Sequence, residues 1–294
     1  MPLRIDTHQH FWQYQAAAYG WISDAMPALQ RDCLPGDVAP AMAAAGVDAA
    51  VAVQARCTPA ETDALLRLAA LNPQILGVVG WLDLRAPDFG DQLADGQALA
   101  AGRLRGLRHI LQDEADVPGW LATPQVASSM RQLQDRQLTY DVLVYQHQLA
   151  WVQGFCARHD RHWLVLDHLG KPAIARFHED AGAFTAWRQA LAPLAAMPHV
   201  GVKLSGLVTE TAWPGRSGLE ASDCAVIRRC FDVALELFGP HRLLFGSDWP
   251  VCQLAAPYDQ VAGLVEAWAA SRLSPSEQNA LWGDNALRVY GLAG

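Results

Sequence analysis

The chain has 294 residues, 51% of them hydrophobic and 18% charged, a composition that suits a sizeable buried core and excludes a disordered chain. A net charge of -8 excludes a nucleic-acid surface, which needs clustered Lys and Arg. No apolar run is long enough to span a bilayer, and the segment MPLRIDTHQH lacks the apolar stretch of a secretion signal.

The six cysteines (Cys33, Cys57, Cys156, Cys224, Cys230 and Cys252) are scattered without a CxxC pair. Reduced thiols in a cytoplasmic protein are therefore expected, with no nucleic-acid or membrane partner. Length alone allows one large domain or two ordinary ones.

The first apolar run leads into Arg4-Ile5-Asp6-Thr7-His8-Gln9-His10-Phe11-Trp12. Residues i and i+2 of a strand share a face, so His8 and His10 point to the same side at its carboxyl end. Such a pair ligates a metal, holds a reacting group, or is a solvated strand end, and this segment does not separate those readings.

Further short apolar runs read as strands near 49–54, 75–82, 104–110, 138–145, 163–168, 200–205 and 242–247. Helical content lies between them, for example over 60–71, 124–137, 182–196 and 223–238. Segments 8–36 and 209–222 read as long loops, and 274–294 as a terminal helical pair with Ser276 as an N-cap. Strands alternating with helices imply parallel β-α units, and eight of them match one closed (β/α)8 barrel of the TIM type spanning 1–294. An open doubly wound sheet is the alternative, but it favours a glycine-rich first turn where THQHFW stands.

In such a barrel chemistry sits at the carboxyl ends of the strands. In order these ends carry His8 and His10, Gln54 and Arg56, Trp81 and Asp83, Arg108 and His109, Tyr145 with Gln146 and His147, Asp167 and His168, Lys203 and Ser205, and Ser247 with Asp248. Five histidines at strand ends are the most informative feature of the chain. Strict alternation lets only one of Arg108 and His109 face inward; Arg108 contacts a ligand or braces the barrel against a carboxylate such as Asp83. His147 is expected at the surface, Lys171 carries no assigned role, and Asp6, sharing parity with His8, is expected to hydrogen-bond an imidazole.

The motifs RIDTHQHFW, VVGWLDL, GLRH, VLDHLGKP and FGSDWPV, in this order, resemble the amidohydrolase superfamily. More closely they resemble its branch of sugar-lactone and aromatic-lactone hydrolases, which includes L-fuconolactonases and L-rhamnonolactonases, the former nearest. The likeness runs from Arg4 to the WGDNALRVY segment, and it implies a distorted (β/α)8 barrel. It implies hydrolysis of a small-molecule sugar-acid lactone in carbohydrate catabolism, with L-fuconolactone or a similar aldonolactone as substrate. It also implies a mononuclear divalent site, typically zinc, at His8, His10, His168 and Asp248, although the branch resembles members that work without metal.

Asp248 is the expected water-activating base, with His168 and His10 as further catalytic groups. Arg108, His109, Gln54, Trp81, Tyr145 and Trp12 are the expected substrate-binding residues. Trp12, Trp21, Trp81, Trp213 and Trp249 fall near the barrel mouth or its long loops, where only Arg56 and Arg108 add positive charge. That balance favours a neutral sugar lactone over an aromatic dicarboxylate lactone. A decarboxylase, another hydrolase of the same superfamily, a pyrone-type lactonase or an inert binding barrel are the alternatives, because fold does not fix function.

Overall fold

A computed structural model describes residues 2–99, 102–216 and 218–293. Eight strands run in sequence order around one parallel sheet. They are β1 (Ile5–Gln9), β2 (Ala49–Val53), β3 (Ile75–Gly80), β4 (Leu104–His109), β5 (Thr139–Val142), β6 (Leu164–Leu166), β7 (Val200–Leu204) and β8 (Leu243–Phe245). Closure between β1 and β8 is made beyond the end of β8. Asp248 N donates to His8 O at 2.9 Å and His10 N to Trp249 O at 2.7 Å.

Helices cover the outside, including Pro59–Leu71, Pro124–Asp135, Ala181–Ala195 and Ala221–Phe238. The strands are buried on both faces, as parallel strands under a helical layer must be, so they read as nearly continuous apolar runs. Ile5, Val51, Val53, Val79, Val165 and Leu244 fill the barrel interior. Each such side chain, fully buried, stabilises the fold by about 1.5–3 kcal/mol.

Tyr290 of the terminal segment packs into this interior from the end where the strands begin. The terminal helix starts at Ser274 rather than Ser276, because Pro275 fixes its first turn. Ser274 N donates to Glu277 Oε2 at 2.8 Å, and Glu277 N donates back to Ser274 Oγ at 3.4 Å. The segment continues through a π-helical turn, Ala280–Asp284, into Asn285–Tyr290.

The long segment 8–36 is mostly irregular, anchored by an antiparallel bridge between Trp12 and Cys33 and a short 3-10 turn, Pro27–Leu29. None of the six cysteines is disulfide-bonded. Among the described residues no helix is long and apolar enough to cross a membrane.

Candidate active site

The ladder between β1 and β2 slips between Asp6 and Gln9. That irregularity removes the parity expected for Asp6. Its carboxylate accepts from the backbone of His8 at 3.1 Å and of Ser247 at 2.8 Å, and touches no imidazole. Asp6 therefore holds β1 to the turn after β8.

His8 and His10 do converge, with their Nε2 atoms 3.2 Å apart. Asp248 Oδ1 lies 3.3 Å from His10 Nε2 and 3.7 Å from His8 Nε2. His168 completes the group, its ring centroid 4.5 Å from that of His8. All four side chains are buried.

The backbone is bent to place them. Asp248 sits at φ 61°, and four successive residues, His168, Leu169, Gly170 and Lys171, occupy the left-handed region. Non-glycine residues there cost roughly 1 kcal/mol or more each, a strain that proteins concentrate at functional sites. Gly206 faces this turn with φ +66°, and a Cβ there would stand 2.3 Å from His168 Nδ1. Its absence lets the imidazole seat against Ser205 Oγ at 2.8 Å.

The donor set suits a cation. His10 Nδ1 lies 2.8 Å from the Val53 carbonyl, which only accepts. In the neutral ring Nδ1 thus carries the proton, and Nε2 presents a lone pair to His8 and Asp248. Ligand atoms of His8, His168 and Asp248 all lie within 4.8 Å of one another. Two imidazoles and a carboxylate are an appropriate set for zinc, with His10 alongside.

Beneath His8 lies a second group that the strand-end reading did not assemble. Lys203 Nζ reaches Asp141 Oδ2 at 2.6 Å, Asp167 Oδ1 at 3.0 Å and His8 Nδ1 at 3.1 Å. Asp167 Oδ1 lies 3.4 Å from the same His8 nitrogen, and Asp167 Oδ2 accepts from Arg108 at 2.9 Å. Tyr290 donates to Asp141 Oδ2 at 2.9 Å. Two cations and two carboxylates thus balance within a buried cluster. A charge inside an apolar strand such as TYDV or VGVKL needs a buried partner, and that was the available signal.

Burial lowers the His168 imidazole to about 4, despite the pull of Asp248 and Asp167. Burial, then Lys203, hold His8 well below 6.5. Burial pushes the Asp248 carboxyl up, but the imidazoles around it, His168 first, then His10 through direct contact, then His8, more than offset it, and the group falls below the usual carboxylate range. At neutral pH the site therefore holds an ionised Asp248 beside neutral His8 and His168. Burial lifts Asp141 to about 6, whereas Lys203, His8 and Arg108 overcome burial at Asp167 and hold it low.

His10, His168 and Asp248 open onto a cavity of about 380 Å³ that Arg108 and Tyr145 also line, while His8 lies buried behind them. Arg108 and Tyr145 are where the sequence puts them. Arg108, however, pairs with Asp167 and donates to Gln54 O, while Asp83 pairs with Arg85. His109, Trp81, Gln54 and Trp12 are outside the lining. From Gly106 to His109 the register of β4 against β5 is unbroken, so His109 points into the helical layer, accepting from Trp81 Nε1 at 2.9 Å and stacking on Trp120. Gln54 is fully buried and donates to Arg108 O at 3.0 Å.

Trp12 follows the bridge to Cys33 and lines a separate cavity with Tyr19 and Arg56, whose guanidinium pairs with Glu61. Of the tryptophans expected at the mouth, Trp21 and Trp213 line the cavity. Lys171 and Glu210 line it as well, and neither was assigned; both sit on turns after strands, where no periodicity marks direction. His147 is exposed, as expected.

An eight-stranded parallel barrel with histidines and an aspartate at its carboxyl-end mouth is the architecture of a hydrolase of the amidohydrolase type. The chain belongs to the amidohydrolase family, whose model matches residues 5–292. It is 55% identical over 290 residues to the L-fucono-1,5-lactonase of Burkholderia multivorans, covering 99% of this chain and 96% of that protein. It is 34% identical over 295 residues to the L-fucono-1,5-lactonase of Burkholderia ambifaria, covering 99% and 96%. A crystal structure of a Burkholderia multivorans amidohydrolase with bound zinc matches with a TM-score of 0.94 at 54% identity, covering 99% of this chain and 100% of that one.

Proposed function

We propose that this protein is a lactonase that hydrolyses L-fucono-1,5-lactone or a closely similar aldonolactone to the open-chain aldonate. The observation that carries the reading is an ionised Asp248 set among three imidazoles at the floor of a cavity, in a chain so similar to an L-fucono-1,5-lactonase.

Lactone opening needs an activated water, a polarised carbonyl and a proton for the departing ring oxygen. Asp248 takes a proton from water as the water oxygen bonds to the carbonyl carbon. Asp248 is ionised at neutral pH and so can accept that proton. When the ring C–O bond breaks, Asp248 returns the proton to the leaving oxygen. The acid so formed loses its own proton to solvent. His168 and the Arg108 guanidinium supply donors at the cavity wall for the carbonyl oxygen.

His8, His168 and Asp248, with His10 beside them, would hold one divalent ion such as zinc. A divalent ion bound there supplies Lewis-acid polarisation of a carbonyl. The rim of the cavity has one ammonium, Lys171, with the Glu210 carboxylate 4.0 Å from it, so a dicarboxylate lactone would meet a negative charge beside its rim cation. A neutral sugar lactone suits it better. Cytoplasmic residence belongs to the same proposal, supported by the six unpaired cysteines.

A panel of aldonolactones, followed by proton release in weak buffer, tests the reading. L-fucono-1,5-lactone should open well above its spontaneous rate. No acceleration with any aldonolactone would sink it.

A further inference from the structure

At the cavity mouth, Glu210 ends the 3-10 turn Val208–Glu210 that follows β7. Its side chain is largely withdrawn from solvent, and no described residue donates a hydrogen bond to its carboxylate. The nearest cation, Lys171 Nζ, stands 4.0 Å from Oε1, too far for a good hydrogen bond. Lys171 is set there by the left-handed turn after β6, and its ammonium lies 5.2 Å from the centroid of the Tyr145 ring. Among the described residues it makes no hydrogen bond to protein. Both groups line the cavity that opens onto Asp248.

Half-buried charges with unspent hydrogen-bonding capacity are unusual, because withdrawal from water without replacement partners is unfavourable. The buried carboxylate of Glu61 shows the contrast. Glu61 accepts from Ala55 N at 2.6 Å and from Arg56 Nε at 2.7 Å. At the mouth the missing partners must come from whatever fills the cavity. A carboxylate offers only acceptors and an ammonium only donors, so together they match groups that are both, namely hydroxyls. Tyr145, Trp21 and Trp213 add aromatic surface to the lining of the same cavity.

We infer that Glu210 and Lys171 form the subsite that recognises the ring hydroxyls of the lactone, Glu210 accepting from them and Lys171 donating to them. The inference rests on the lactonase reading and deepens it, making these two residues determinants of specificity rather than of chemistry. A carboxylate at this place also rejects substrates that carry a second negative charge.

The test crosses a change in the protein with a change in the substrate. Wild type, Glu210→Gln and Lys171→Met are assayed on L-fucono-1,5-lactone and on δ-valerolactone, which has the ring ester and no hydroxyls. Glu210→Gln keeps the shape and orphans no described donor, so the fold should hold. Loss of a charged hydrogen bond should cut kcat/KM on the sugar lactone roughly 10- to 100-fold, mainly through KM. On δ-valerolactone the same variants should stay within about threefold of wild type, since a site built to bind hydroxyls gives nothing to a ring without them. Equal loss on both substrates, or no loss on the sugar lactone, would overturn this inference alone. Wild type inactive on every aldonolactone would overturn the lactonase reading and the inference with it.

Discussion

Two sets of opposite charges, one on each side of the His8, His10, His168 and Asp248 group, are held in different ways. Under His8, Lys203 touches Asp141 at 2.6 Å and Asp167 at 3.0 Å in a place with no solvent access. At the mouth, Lys171 and Glu210 stand 4.0 Å apart, each about one-fifth exposed. The lower set is closed: its members use one another, and their order fixes His8 and Arg108. The upper set is open, and its unused donors and acceptors face the cavity. The same residue types serve rigidity in one place and recognition in the other, and contact distance together with burial tells them apart.

That contrast can be broken in several ways. The group between the two sets should show the largest effect. Asp248→Asn keeps the shape and removes the base, so turnover should fall by roughly 10²–10⁴-fold while lactone binding persists. Metal content measured alongside separates loss of the base from loss of an ion. Near-normal turnover in a folded variant would move the base role to His168.

Below, Lys203→Met leaves Asp141 and Asp167 facing each other without their shared cation. Breaking a buried pair in this way costs about 3–5 kcal/mol, to be read from denaturant unfolding. Adding Asp141→Asn should recover part of that loss. A Lys203→Met protein as stable as wild type would erase the distinction drawn between the two sets.

Acid should weaken the metal-free protein gradually. His168 and His159 both have imidazoles lowered to about 4, burial being the first cause in each. Their pKa values fall on folding, so between pH 6.5 and about 4 the unfolded chain binds protons that the folded one refuses. Their contribution is present in full above 6.5 and is lost as pH falls, by about 1.4 kcal/mol per pH unit for each group. Thermal unfolding of chelator-treated protein across this range checks the slope; a flat profile would contradict it.

Chelation itself should have the smallest effect on turnover. With Asp248, His168 and Arg108 present as base and donors, stripped protein should keep activity within about tenfold, a loss far short of removing a catalytic base. Elemental analysis must confirm removal. Complete loss restored by zinc would make the ion indispensable.

The barrel was legible because its alternation of apolar strands and helical segments survives in the sequence with little interruption. Strand ends were drawn too long, as at 138–145 against Thr139–Val142, since the chain leaves the sheet there to line the cavity. His8, His10, His168 and Asp248 were legible because each closes a strand. Side-chain direction was less so. Arg108 and His109 are resolved only by the regular end of β4, from Gly106 to His109, and Asp6 departs from its expected contact because the slip in β1 is invisible in sequence. Glu210 and Lys171 sit where the backbone has left regular structure, and left-handed geometry at Lys171 carries no residue signature.

The left-handed turn from His168 to Lys171 has a practical consequence for anyone redesigning this protein. Only two residues, Leu169 and Gly170, separate His168 beside Asp248 from Lys171 at the mouth. Gly170 between them has no room to vary, since a Cβ there would meet Leu149 Cδ2 at 2.6 Å. Insertions or backbone changes in this turn would shift both ends together, so a library diversified there trades new selectivity against lost turnover in the same clones. Glu210 hangs from a different loop and reaches the cavity independently. Diversity placed on that side can be screened for altered substrate range with the reaction centre left in register.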